Sequence, residues 1–136
     1  MSYGSAAALQ AAVYQHLVAD APLDALVSGA IYDAVPGGTL PELYVSIGPE
    51  DVRDRSDATG GGALHVFTIS VVENGAGFAR AKAVSAAVSD ALVDASLTLT
   101  RGTLVFLRFD RARARRVQSG QSRRIDLSFR AMIDDT

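Results

Sequence analysis

The apolar positions change their period along the chain, and the changes mark its elements. Over residues 5–19, Leu9, Val13, His16 and Leu17 recur at helical spacing, and Ser5 stands where a cap belongs. Pro22 is expected to end that helix. Its other positions hold alanine and glutamine instead of charge, which predicts cover on more than one side. Residues 22–28 fit one further helical turn, stopped by Gly29. Ile31 to Asp33 suits a short strand, residues 36–41 (Pro-Gly-Gly-Thr-Leu-Pro) must be a loop, and Leu43 to Gly48 reads as a strand.

Periodicity then lapses. Residues 49–62 predict the longest loop, with Asp51, Arg53, Asp54, Arg55 and Asp57 leading into Gly60-Gly61-Gly62. Long irregular stretches tend to be functional or mobile. Residues 50–62 are expected to be mobile in a lone subunit and ordered in an assembly.

Period two returns at Ala63 to Val72. His65, Phe67, Ile69 and Val71 share one face, while Leu64, Val66 and Val72 predict partial cover on the other. Asn74 is placed to cap a second helix, residues 76–95, with the stripe Phe78, Ala81, Val84, Val88, Ala91, Leu92 and Ala95. Leu97 to Thr100 reads as extended and Arg101-Gly102 as a turn. A long strand from Thr103 to Arg115 follows, then a turn through Ser119-Gly120 and a last strand over residues 124–133. There Ile125, Leu127, Phe129, Ala131 and Ile133 alternate with polar residues and Met132, the pattern of one buried face. The sum is an α+β fold over residues 1–136: a mainly antiparallel four-stranded sheet with two amphipathic helices on one face.

A chain of 136 residues, 49% hydrophobic, suits one domain with a core of its own and argues against disorder. With no cysteine, disulfide and thiol chemistry are excluded. The first residues lack the positive start and unbroken apolar run of a secretion signal, and no stretch reaches membrane-span length, so synthesis in the cytoplasm is expected.

Charge changes the picture more. The net value is −2, but residues 1–96 hold four basic and eleven acidic side chains, a balance of −7. Residues 97–136 hold nine basic and four acidic ones, a balance of +5. An acidic part and a basic part in one chain point to a partner, which includes another copy of the same chain.

Catalytic patterns are missing. His16 and His65 belong to no metal-binding spacing, and a histidine on an inner or flanking face is the simpler account. There is no Gly-x-Ser-x-Gly elbow. A phosphate loop needs a helix after its glycines, and here a strand follows. Asp51, Asp54 and Asp57 lack calcium-loop spacing. No cofactor is expected.

The basic segment is the most informative feature. Arg111, Arg113 and Arg115 alternate with alanine and so share a strand face, with Arg108, Arg116, Arg123 and Arg124 on the same hairpin. Three accounts fit these residues: a solvated hairpin, contact with carboxylates of another protein, or direct nucleic-acid binding. Phe106 and Phe109 are assigned to the core instead of to base stacking. Arg108, Arg111, Arg113, Arg115, Arg116, Arg123 and Arg124, with Asp51, Arg53, Asp54, Arg55 and Asp57, form the expected interface set.

An ordered set of segments carries a resemblance. Leu9-Gln-Ala-Ala-Val-Tyr14 opens the first helix, Ile31-Tyr-Asp-Ala-Val-Pro36 follows the short turn, and Tyr44-Val-Ser-Ile-Gly48 forms the next strand. Leu97-Thr-Leu99, Leu107-Arg-Phe109 and Phe129-Arg-Ala131 complete the order. Over nearly its whole length the chain resembles the tail-terminator (tail-completion) family of long-tailed phages, and most of all the terminators of alphaproteobacterial gene transfer agents. That resemblance implies a hexameric ring capping a tail tube, partnered by the tube protein and a head-side connector, with DNA passing through it. The alternative is a small nucleic-acid- or ligand-binding module using the arginine hairpin.

Overall fold

The computed structural model describes residues 3–58, 60–75, 77–117 and 120–135. Helix α1 spans Ala6–Val18 and α2 spans Ala21–Val27. Strand β1 is Ile31–Tyr32, β2 is Leu43–Asp54 and β3 is Gly62–Glu73. Helix α3 is Ala79–Leu92, and the chain closes with β4, Thr103–Val117, and β5, Ser122–Asp134. The strands form one sheet in the order β1-β2-β3-β5-β4. β1 runs parallel to β2, and the other neighbours are antiparallel. The expected α+β class holds, with a fifth strand and a third helix added by the short elements before β2.

Local chemistry sets the first boundaries. Asp20 caps α2, its Oδ2 accepting the Leu23 N–H at 3.1 Å, and Pro22 sits in the first turn. Ser28 and Gly29 then take positive φ and stop it. α1 begins after Ser5, whose side chain makes no capping bond. The uncharged side of α1 is open in the lone chain: Ala7, Gln10, Ala11, Gln15 and Val18 are exposed.

α3 is shorter than predicted at both ends. Residue 76 lies outside the described residues, and the helix starts at Ala79 with Phe78 in the cap position. Asn74 does not cap it; its Oδ1 accepts the Ser122 hydroxyl instead. Gly75 and Gly77 delay the start, since glycine gains least from helix formation and Gly77 has φ +94°. At the far end Asp94 takes φ 59° and gives its N–H to the Leu107 carbonyl at 3.0 Å, tying the chain to β4 instead of extending the helix. Leu97 to Thr100 joins no strand, though Leu97 and Leu99 pack on the core.

The largest correction concerns residues 49–62. β2 does not stop at Gly48; it crosses an irregularity between Ile47 and Glu50 and continues to Asp54. Glu50, Asp51, Val52, Arg53 and Asp54 pair with Phe67, Val66, His65, Leu64 and Ala63 of β3. Ladder bonds come from the backbone, so a charged strand end shows no apolar alternation. The remaining loop is short and built: Asp54 Oδ1 accepts the Ser56 N–H and hydroxyl, at 3.1 and 2.6 Å, and Asp57 Oδ1 accepts the Gly60 N–H at 3.0 Å.

The hairpin strands exceed their expected bounds at the tip. Ser119 of the expected turn lies outside the described residues, while Gly120 has φ +83° and bonds back to Val117.

The three helices cover one face of the sheet. Leu9, Val13 and Leu17 of α1, Leu23 and Val27 of α2, and Val84, Val88 and Leu92 of α3 join one cluster. Val45, Phe67, Ile69, Val71, Ile125, Leu127, Phe129, Ala131 and Ile133 complete it from the strands. Phe129 is fully buried, stacked 5.7 Å from Phe67 and edge-on at 6.0 Å to Phe109. Leu64 and Val72 are also buried, so β3 is partly covered on its second face, as its sequence predicted.

Candidate interaction surface

The face of the sheet away from the helices gathers the arginines. In β4 the register pairs Arg108 with Arg130, Arg111 with Ser128, Arg113 with Asp126 and Arg115 with Arg124. Strict alternation puts Arg108 and Arg111 on opposite faces. The irregularity between Phe109 and Arg111 takes up Asp110 and returns both to one face. A second irregularity between Leu104 and Phe106 likewise moves Phe106 out of the core. Its ring lies under Arg108, 4.1 Å from the guanidinium carbon, which corrects its expected place. Phe109 does face the core side, but stays 45% exposed.

Arg108, Arg111, Arg113, Arg115 and Arg124 therefore come together, and Arg130 joins them. Arg130 was legible as a polar position of β5, but only the register sets it beside Arg108. Arg116 and Arg123 fall on the other face. Arg123 lies over the Phe78 ring at 5.6 Å and donates to the Gly120 carbonyl at 2.6 Å, so it fixes the hairpin near its turn.

Asp126 sits in the middle of the basic face. Its Oδ1 accepts from Ser70 Oγ at 2.6 Å and Arg124 Nε at 2.9 Å, and its Oδ2 accepts from Arg115 at 3.3 Å. Burial alone disfavours its charge, yet the Ser70 and Arg124 hydrogen bonds and the Arg124 charge hold its carboxyl below the usual range. Asp126 and Ser70 thus pre-set the directions of two arginines; Arg124 stands two residues from Asp126 on β5, but only the register brings Ser70 of β3 and Arg115 of β4 to them.

The acidic segment is elsewhere. Asp51, Arg53 and Asp54 stand on β2, separated from the hairpin by β3, and Arg55 and Asp57 on the loop that follows. Asp51 pairs with Arg53 at 3.1 Å, both well exposed. Arg55 donates to the Asp54 carbonyl at 3.1 Å. Hydrogen bonds from Ser56 lower the Asp54 pKa. Within one chain the two halves of the expected interface set do not meet.

The remaining polar groups lie apart from this face. His16 Nε2 lies 2.8 Å from the Ala91 carbonyl. His65 is fully buried, and among the described residues neither ring nitrogen has a hydrogen-bond partner. Beside α1 an open cleft of 360 Å³ holds Asp33 and Glu50, bonded to Gln10 and Tyr3. Among the described residues no group of three or more His, Asp or Glu side chains could hold a metal, and no helix is long and apolar enough to cross a membrane.

Fold and surface together define a small α+β protein whose distinctive feature is a pre-oriented, charged sheet face. The chain matches the family model described as tail completion protein gp17 over residues 11–134, and it belongs to that family. It is also similar to a chain of a solved structure titled "Virion of native gene transfer agent (GTA) particle", at 64% identity and a TM-score of 0.94. That match covers 98% of this chain and 99% of the other. No curated protein matches the chain.

Proposed function

We propose that this chain is a non-catalytic structural protein of a phage-like particle, a ring that caps the tail tube and ends its growth. Six copies form the ring, which joins the tube to a head-side connector and lets DNA through its centre without specific binding. The protein is made in the cytoplasm and leaves as part of the particle, at the head-tail junction. The observation that carries this reading is the end-to-end likeness, at 64% identity, to a chain of a gene transfer agent virion. The arginine face and the Asp51–Asp57 segment serve as contacts to other subunits. Single exposed ion pairs contribute only about 0–1 kcal/mol each, but several fixed guanidinium forks set register and orientation.

A second reading, a nucleic-acid-binding module, draws on the six arginines of the helix-free face. Asp126 weighs against it, because it places a carboxylate among the groups that would meet phosphate. Electron microscopy of the purified chain mixed with its tube protein separates the two. Rings seated on tubes of uniform length are expected. A chain that stays monomeric beside tube protein and binds DNA in a salt-dependent way overturns the structural reading.

A further inference from the structure

The sheet ends in two free backbone edges of opposite charge. Among the described residues β4 pairs only with β5. Its first half is partly covered, since Asp94 donates to the Leu107 carbonyl. Among the described residues its second half, residues 109–117, has no such cover, and it holds four arginines against one aspartate. At the opposite side of the sheet, β1 covers β2 only at Val45 and Ser46. Residues 48–54 of β2 present a second free edge, with three carboxylates against one arginine.

Unpaired edges are templates for another strand, and proteins usually block or occupy them. Pairing β4 with β4 of a second copy sets arginine against arginine, and pairing β2 with β2 sets carboxylate against carboxylate. Only β4 against β2 joins unlike charges. The strand directions agree with this choice. β2, β3, β5 and β4 alternate in direction, so β2 and β4 run oppositely. Copies set side by side in one orientation therefore bring β4 of one antiparallel to β2 of the next.

We infer that residues 109–117 of one copy add as a strand to residues 48–54 of the next, making a continuous intersubunit sheet. The contact is head-to-tail, the type that closes into rings. It rests on the ring reading above and deepens it by naming the two surfaces. The open, uncharged side of α1 lies beside the accepting edge, since Tyr3 at its start bonds to Glu50.

The chain has no cysteine, which makes the test direct. Val52→Cys and Ala112→Cys are introduced together, with Ala114→Cys in place of Ala112→Cys as a second register. Under mild oxidation, in the presence of tube protein, at least one pair is expected to give a covalent ladder of oligomers. Each single-cysteine variant is expected to stay uncross-linked. In parallel, Arg111→Glu with Arg113→Glu should abolish ring formation, as should Asp51→Arg alone. Mixing these two variants should restore heterologous contacts. Circular dichroism confirms that each variant is folded. Rings of unaltered chain with no cross-link in either register overturn this inference and leave the ring reading standing. Dimers from Ala112→Cys alone overturn it in favour of like-edge pairing. An unaltered chain that stays monomeric beside tube protein overturns both.

Discussion

Ser70 Oγ donates to Asp126 Oδ1 at 2.6 Å, joining the end of β3 to the first part of β5 on the helix-free face. Ser70 is fully buried; its hydroxyl accepts from Arg124 at 3.0 Å and has that carboxylate as the acceptor for its proton. Asp126→Ala should destabilise by about 1–3 kcal/mol, the cost of leaving a buried polar group unsatisfied. It should also loosen Arg115 and Arg124. Denaturant melts measure the first effect and relaxation of the guanidinium resonances the second. Full stability in Asp126→Ala would show the network to be ornamental.

Phe129 lies at the centre of the core, between Phe67 and Phe109. Phe129→Ala should cost about 3–5 kcal/mol, as for other buried aromatics. A loss below about 1 kcal/mol in the same melts contradicts its burial.

His65 gives the chain an acid-sensitive point. Burial lowers its pKa from 6.5, opposed in part by the charge of Glu50. The folded state then binds fewer protons than the unfolded one. Stability is full above the unfolded value and declines as pH falls below it. Melts at pH 7 and pH 5 should show that decline, and His65→Leu should reduce it. An unchanged slope in His65→Leu assigns the acid sensitivity to other groups.

Gly102 has φ +81°, and a methyl group there meets Ile133 Cγ2 at 2.7 Å and Ser5 Oγ at 2.8 Å. Gly102→Ala should lose about 1–2 kcal/mol from backbone strain alone. The displacement of Ile133 adds to this. A midpoint equal to that of the unaltered chain would mean the turn before β4 re-forms freely.

Amide exchange tests the altered boundary of β2. The alternate amides of residues 51–54 that point to β3 should be protected in the lone chain, unlike a loop, while those on the open edge should exchange. Exchange as fast as in an unstructured peptide at every one of these amides would mean a loop there.

The sequence by itself determined the elements whose side chains alternate between core and solvent. α1, β3 and β5 announce themselves because burial acts on every second or every third to fourth residue. It also determined the split of charge and the resemblance to tail-completion proteins, since both are properties of residue order. Other features depended on backbone partners. The second half of β2 is a strand because β3 lies beside it, although Glu50, Asp51, Arg53 and Asp54 show no apolar period. Asn74 went to Ser122 instead of α3 because β5 brought a hydroxyl within reach. The basic face was half legible. Alternation placed Arg111, Arg113 and Arg115 together, but two irregularities in β4 decided that Arg108 joins them and Phe106 leaves the core. Irregularities follow from how two strands twist and pair, and the opposite placement of the acidic and basic edges follows from strand order. Neither property is local, so only the tertiary structure could decide them.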